Sequence, residues 1–392
     1  MYRTQPLKVN RERQEIIMLY GAAKNGVLFF KLLILLFLIS ACSKNSTNPP
    51  PVPVGVDTTS HDFIWRIDTL GEGPLYSSIW DVEILNESDI WVVGKISAED
   101  TYQTDSLGQL IQPYNAAHWN GNEWRLEQIY YHDYGIDLLV GNISGIYLLN
   151  DNNFYIAAGS IFLWDGTLAV LNYERDINTT ESIKNIVNVN SISYGAGNAG
   201  LLVYNNGNGW QKIPTPTTEN ITDLYGVESQ DGVARLFATV ASELFSPDDP
   251  DSKILKIVGT EVTEVSSEGL SKHLSGIWFD EKAGYYVVGS RIYYTRTLDE
   301  NSQWEVIEPD ITTNYLHKIV AADTNDIFVV GDFGTVIHYN GSNWKNLSDT
   351  QLPPIRAVFS NIEIKNDLVV ITGTLNSTLP TKGIILTGKR IK

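Results

Sequence analysis

Cysteine is almost absent from this sequence: Cys42 is the only one in 392 residues. Intrachain disulfides and cysteine-rich zinc sites are therefore excluded. Positive charge is also scarce, with 28 Lys and Arg against 46 Asp and Glu and a net charge of −18. Residues 1–41 hold six basic and two acidic side chains, a net of +4, so the rest of the chain carries −22. Phosphate backbones are bound by Lys and Arg, so no nucleic-acid partner is expected, nor docking on anionic lipid through a basic patch. Long apolar runs are missing too. The single candidate, residues 27–41 (VLFFKLLILLFLISA), is shorter than the about 20 residues that a spanning helix needs. No stretch after Cys42 shows a helical period, and neither G-x-S-x-G nor H-E-x-x-H occurs.

The short apolar run has Lys24 before it and Lys31 near its start, and it ends in small residues next to Cys42. That is the tripartite layout of a secretory signal. Ile39-Ser40-Ala41-Cys42 resembles the lipobox of bacterial lipoproteins. The resemblance implies cleavage before Cys42, acylation of its thiol and new amino terminus, and attachment to a cell-envelope membrane. In an organism with two membranes, Ser43 after the cysteine would direct the protein to the outer one. Met18 is an alternative start that gives a leader of more usual length. Residues 42–61 are rich in Pro, Ser, Thr and Asn and read as a tether.

What is abundant is aromatic and β-branched sequence in a repeat. An apolar residue, two variable residues, then Ile, Leu or Val followed by an aromatic or Val recur seven times. The copies are Tyr76–Trp80, Ile143–Tyr147, Ile183–Val187, Ile221–Tyr225, Leu274–Trp278, Leu316–Val320 and Ile355–Phe359. Their spacings are 67, 40, 38, 53, 42 and 39 residues. A period of about 40 is one four-stranded propeller blade. Polar insertions at Ser97–Tyr114 and Ser242–Lys253 account for the two long spacings. A second strand ending in Gly follows each copy in most units, as in Ile90–Gly94, Ile327–Gly331 and Leu368–Gly373. Asn-Gly turns that open a fourth strand at Trp stand at Asn120–Trp124, Asn206–Trp210 and Asn340–Trp344. Asp62–Leu70 looks like a fourth strand without its first three, and the seventh unit has only three. Pairing the two completes an all-β, seven-bladed β-propeller over residues 62–392. Six or eight blades and an open stack of hairpins are the alternatives.

Phe328–Trp344 and the Asp-box-like Thr297–Trp304 make this region similar to bacterial propellers with BNR-type repeats and their photosystem-assembly-factor-like relatives. In that group the box is a structural hairpin. The resemblance implies a fold and not an activity.

Other motifs read as architecture. Gly195–Gly200 matches G-x-G-x-x-G but precedes a strand, so it is expected to be a hairpin and not a nucleotide site. Asp248, Asp249 and Asp251 are expected in a solvated loop. His118 and His338 hold equivalent third-strand positions and are expected to pack. No cofactor or metal is expected. The variable positions of the repeat place Lys184, Asp223, His317, Lys318 and Arg356 near one rim of the central channel. There the basic groups would select an anionic ligand in an otherwise acidic protein. Binding or scaffolding of a protein or glycan is the expected function. A carbohydrate-active enzyme is the alternative, and a sialidase is disfavoured because only Arg356 among the arginines falls inside the repeat.

Overall fold

The computed structural model describes residues 58–391, apart from 105–107, 109, 151–152, 229–231, 243–250 and 300. The leader, Cys42 and most of the tether lie outside the described residues, as do Asp248 and Asp249. The described chain is a seven-bladed β-propeller of antiparallel blades without an α-helix.

Blades are numbered here in chain order by their innermost strands. These are Ser78–Asn86, Gly145–Asn150, Ser182–Val189, Asn220–Glu228, Gly276–Asp280, Leu316–Asp323 and Ala357–Lys365. Each inner strand pairs with the next strand in sequence, and the sheet grows outward. Seven buried apolar clusters hold the ring, one between each pair of neighbouring blades. Between blades 6 and 7, for example, Phe328 and Val336 pack on Phe359, Val369 and Ile384. Alternating side chains put one apolar face of a sheet on each neighbour, which is why the strands read as nearly continuous apolar runs.

Blade 7 is completed from the other end of the chain. Phe63–Leu70 pairs antiparallel with Lys382–Arg390, from Phe63↔Arg390 to Leu70↔Gly383. The expected closure is therefore present. At its start, Arg390 grips blade 6. Its Nη2 donates to both Asp326 carboxylate oxygens, at 2.6 and 2.5 Å, and its Nη1 donates to the Ser60 carbonyl. Asp326 also accepts from or pairs with His338 Nε2 at 2.8 Å. The neutral His338 ring is buried and stacks on Phe328, and burial pushes its pKa down to about 4. His118 repeats the arrangement in blade 1, against Asp89 and stacked on Trp91. Both histidines are packing elements, as their equivalent positions implied.

The structure adds two features. The strands Tyr130–Asp133 and Ile136–Leu139 form a hairpin that extends blade 2 to six strands, joined in parallel through Ala169↔Tyr131. This hairpin contributes to the long first spacing, beside the insertion after Ser97. The glycines near the ends of the second strands also have a steric reason beyond strand termination. A Cβ at Gly331 would lie 2.2 Å from the Tyr315 carbonyl, and one at Gly373 would lie 2.0 Å from that of Val358. Gly195–Gly200 is a strand and turn, with left-handed Ala199 and Gly200.

Arg390 and Asp326 are both nearly buried, so removing one partner strands the other charge. Arg390→Ala is expected to cost about 3 kcal/mol, read as a lower urea midpoint at unchanged m-value.

Candidate functional site

Five inner strands carry a bulge at the same place. The register skips between Ile79 and Asp81, Ile183 and Asn185, Ile221 and Asp223, Leu316 and Lys318, and Phe359 and Asn361. In blades 1, 3, 6 and 7 the residue before the bulge faces a glycine: Gly94, Gly197, Gly331 or Gly373. The bulge fixes equivalence between blades, and it corrects the repeat read from sequence. In blade 1 the equivalent unit begins at Ile79, three residues later than Tyr76, and in blade 7 at Phe359, four residues later than Ile355. Arg356 therefore precedes the repeat and is not the counterpart of His317.

The third residue of each unit forms one level of the channel wall. In ring order these are Asp81, Gly145, Asn185, Asp223, Gly276, Lys318 and Asn361. Asp81 accepts from Ile146 N at 2.8 Å, and its other oxygen takes Val82 N and the Asn361 amide. Asp223, buried, accepts from Ile277 N at 3.0 Å and from Lys318 Nζ at 2.6 Å. Lys318 thus reaches from blade 6 past blade 5 to blade 4. A Cβ at Gly276 would sit 3.2 Å from the Lys318 Cα, so glycine permits the approach. The same device appears twice: an aspartate on one blade caps a backbone N–H that follows a glycine on the next. Each such charge-assisted bond joins inner strands that share no ladder.

A second level lies two residues further along the strands. Glu83 accepts from Leu148 N at 3.0 Å and Glu363 from Ile84 N at 2.6 Å, while Lys365 Nζ donates to the Ile84 carbonyl at 2.8 Å. Burial pushes the Asp81 carboxyl up to about 6 and that of Glu83 up to about 7. Glu363 is raised well above the usual range, first by burial and then by the Glu83 charge. These carboxyls are paired in space, as acid–base chemistry would require. Each nevertheless spends an oxygen on a neighbouring blade's backbone, which makes them fastenings of the ring.

The expected rim residues separate on inspection. Asp223 and Lys318 are consumed by each other inside the wall. His317 Nε2 lies 2.7 Å from Asp332 Oδ1. Lys184 and Arg356 are exposed, and among the described residues neither side chain makes an ion pair. Arg356 also lines a cavity of about 410 Å³ with Asp332, Phe333, Asn376 and the start of the blade 7 inner strand. Phe333 was not singled out in the sequence. It is 71% exposed and holds a left-handed backbone at φ 55°. An exposed aromatic kept in a costly conformation points to a contact surface. Elsewhere, Asp251 is exposed and 4.0 Å from Lys272. No group of three or more metal-ligating side chains converges among the described residues.

The arrangement defines a class, the closed seven-bladed propeller with a polar channel and a cavity at its rim. No family model matches the chain, and no curated protein does. Solved structures are similar in fold. A structure described as YCF48 bound to D1 peptide superposes with a TM-score of 0.57 at 15% identity, covering 88% of this chain and all of that one. YCF48 from Cyanidioschyzon merolae gives 0.54 at 11%, covering 82% and 98%. The WD40 propeller domain of Doa1 gives 0.54 at 10%, covering 84% and 98%. At these identities the likeness is one of fold.

Raised carboxyl pKa values carry a sign. Native Glu83 holds, between about pH 4.5 and 7, a proton that the unfolded chain has released, and Glu363 likewise keeps its proton above the ordinary carboxyl range, so their contribution to stability falls as pH rises. Glu363→Gln keeps an acceptor for Ile84 N and cannot ionise. Its melting temperature relative to wild type is expected to be higher at about pH 8, with the advantage lost at about pH 4.5. A difference independent of pH would contradict this account.

Proposed function

We propose that this chain is a lipid-anchored envelope propeller whose rim cavity binds an extended segment of a protein partner, without chemistry on it. The observation that carries this reading is the Arg356–Phe333 cavity. An unpaired guanidinium stands beside an exposed aromatic, and such pairs of Arg and aromatic side chains dominate protein recognition sites. In an acidic chain, Arg356 favours a carboxylate-bearing segment. The fold neighbours support the reading by analogy, since one YCF48 structure is described with a bound peptide. A glycan partner has no comparable observation behind it.

The lipid attachment rests on the lipobox resemblance at Cys42. With several acyl chains on one residue, each buried methylene adds about 0.8 kcal/mol to membrane affinity. The domain's geometry suits such a tether. The first strand starts beside Arg390 and runs towards the face that carries Arg356, as the register Leu70↔Gly383, Gly383↔Thr374 and Thr374↔Val358 shows. A chain entering at residue 58 thus meets the propeller at the face opposite the cavity.

Two experiments test the two halves. Cys42→Ala is expected to abolish palmitate labelling and to move the protein out of the membrane fraction; retention of label would refute the anchor. For the cavity, an immobilised peptide array probed with full-length protein should show carboxylate-rich peptides that lose about ten-fold or more of their signal with Arg356→Ala or Phe333→Ala. Lys389→Ala, on the opposite face, should leave the signal intact. Equal signal from all three variants would remove the cavity from consideration.

A further inference from the structure

A second cavity lies on the same face but further out, where the closing strand of blade 7 meets the polar insertion of blade 1. It encloses about 500 Å³. Leu70, Tyr114 and Trp124 supply its apolar walls, and Glu72, Glu99 and Asp100 its charge. Among the described residues, none that lines it is basic. Asp100 Oδ2 accepts from the Tyr114 hydroxyl at 2.8 Å, while Asp100 Oδ1 is buried with no partner. A buried carboxylate oxygen without a donor costs the free fold free energy. Glu72 is partly neutralised by Lys382, at 2.6 Å, which leaves the cleft with a clear negative excess. Burial and the neighbouring Asp100 push the Tyr114 hydroxyl up to about 12, consistent with that excess.

The walls are held before any ligand arrives. Trp124 Nε1 donates to Asp68 Oδ2 at 3.1 Å, which fixes the indole plane. The loop after the closing strand is pinned to the insertion by Gly73 N to the Ser97 carbonyl at 2.7 Å and Leu75 N to Ser97 Oγ at 3.1 Å. Ser97 N in turn donates to Ser77 Oγ at 2.9 Å. Gly71 has φ +100°, and a Cβ there would lie 2.1 Å from Ser77 Oγ, so the turn admits only glycine. Little ordering is left for a ligand to impose.

We propose that this cleft receives a basic side chain, lysine or arginine, of a partner protein. The aliphatic stem lies along Leu70 and Trp124, the cationic head turns to the Asp100 and Glu99 carboxylates, and the Trp124 face adds a cation–π contribution. The assignment concerns a different cavity from the Arg356 pocket and is tested with small molecules, so either can fail alone.

The test is calorimetric titration of the full-length protein, solubilised in detergent, with N-acetyl-arginine amide and with its neutral isostere N-acetyl-citrulline amide. The arginine compound is expected to bind in roughly the millimolar range, about five-fold or more tighter than the citrulline compound, and to weaken as salt is raised. Asp100→Asn should remove about five-fold of that affinity. Glu99→Gln, at an exposed position where folding is not at stake, should remove a smaller part. Equal binding of the two compounds, or arginine binding untouched by both substitutions, overturns the proposal. Binding of a neutral oligosaccharide that depends on Trp124 and not on Asp100 would also overturn it, and would assign the cleft to a glycan.

Discussion

A ring of wedge-shaped sheets has no meaning until its last gap is shut, and here one short strand shuts it. Phe63–Leu70 brings a full ladder against Lys382–Arg390 and buries Phe63 in the cluster between blades 6 and 7. Two edges that would otherwise expose unpaired N–H and C=O groups disappear in that step. Arg390 adds a charge pair that ties the closing blade to its neighbour, so closure is specific in register as well as favourable in area. The contacts are among the longest-range in the chain, and loop closure must precede any reward from them. The same strand also builds the outer cleft, because the loop that leaves it packs against the blade 1 insertion.

The second constraint acts at the axis. Inner strands of adjacent blades converge without sharing a ladder, so their facing N–H groups need other acceptors. Asp81, Glu83, Asp223 and Glu363 supply them. The arrangement puts carboxylates where their desolvation is unfavourable, and the raised pKa values of Asp81, Glu83 and Glu363 record that cost. Glycines at 145 and 276 let the aspartates of blades 1 and 4 reach the following N–H groups. The channel is acidic for structural reasons, and the free cations stand outside it at the rim.

Blade number, closure and the packing role of His118 and His338 were legible in the sequence because they depend on features repeated at one period. The register of blades 1 and 7 was not. Tyr76–Trp80 and Ile355–Phe359 satisfy the apolar template, yet the bulge that defines equivalence leaves no mark in an apolar pattern. A bulge adds one residue without changing composition. The resulting offset is why Arg356 looked like the counterpart of His317 when it precedes the repeat. Asp223 and Lys318 were correctly placed at the channel, but their mutual pairing spans two blades and has no local signal. The Tyr130–Leu139 hairpin was missed for a related reason, since its attachment runs through a single parallel bridge to a strand about 40 residues later. Phe333 sits in a turn whose strain only coordinates reveal.

Repetition also says where function is not. A position that recurs from blade to blade answers to the ring, as the bulges in five blades, the glycines opposite four of them and the inter-blade clusters do. The two cavities lie where the period is broken. Arg356 stands just before the inner strand of blade 7, ahead of the unit that the bulge defines, and Asp100 belongs to the insertion of blade 1. These departures gain nothing for closure, and the Phe333 turn and the partnerless Asp100 oxygen both carry a cost. Features that are unfavourable to the free fold and absent from its regular blades are best accounted for by what they meet in a complex. In the proposed reading the working surface is therefore the irregular arc from blade 6 through blade 7 to blade 1.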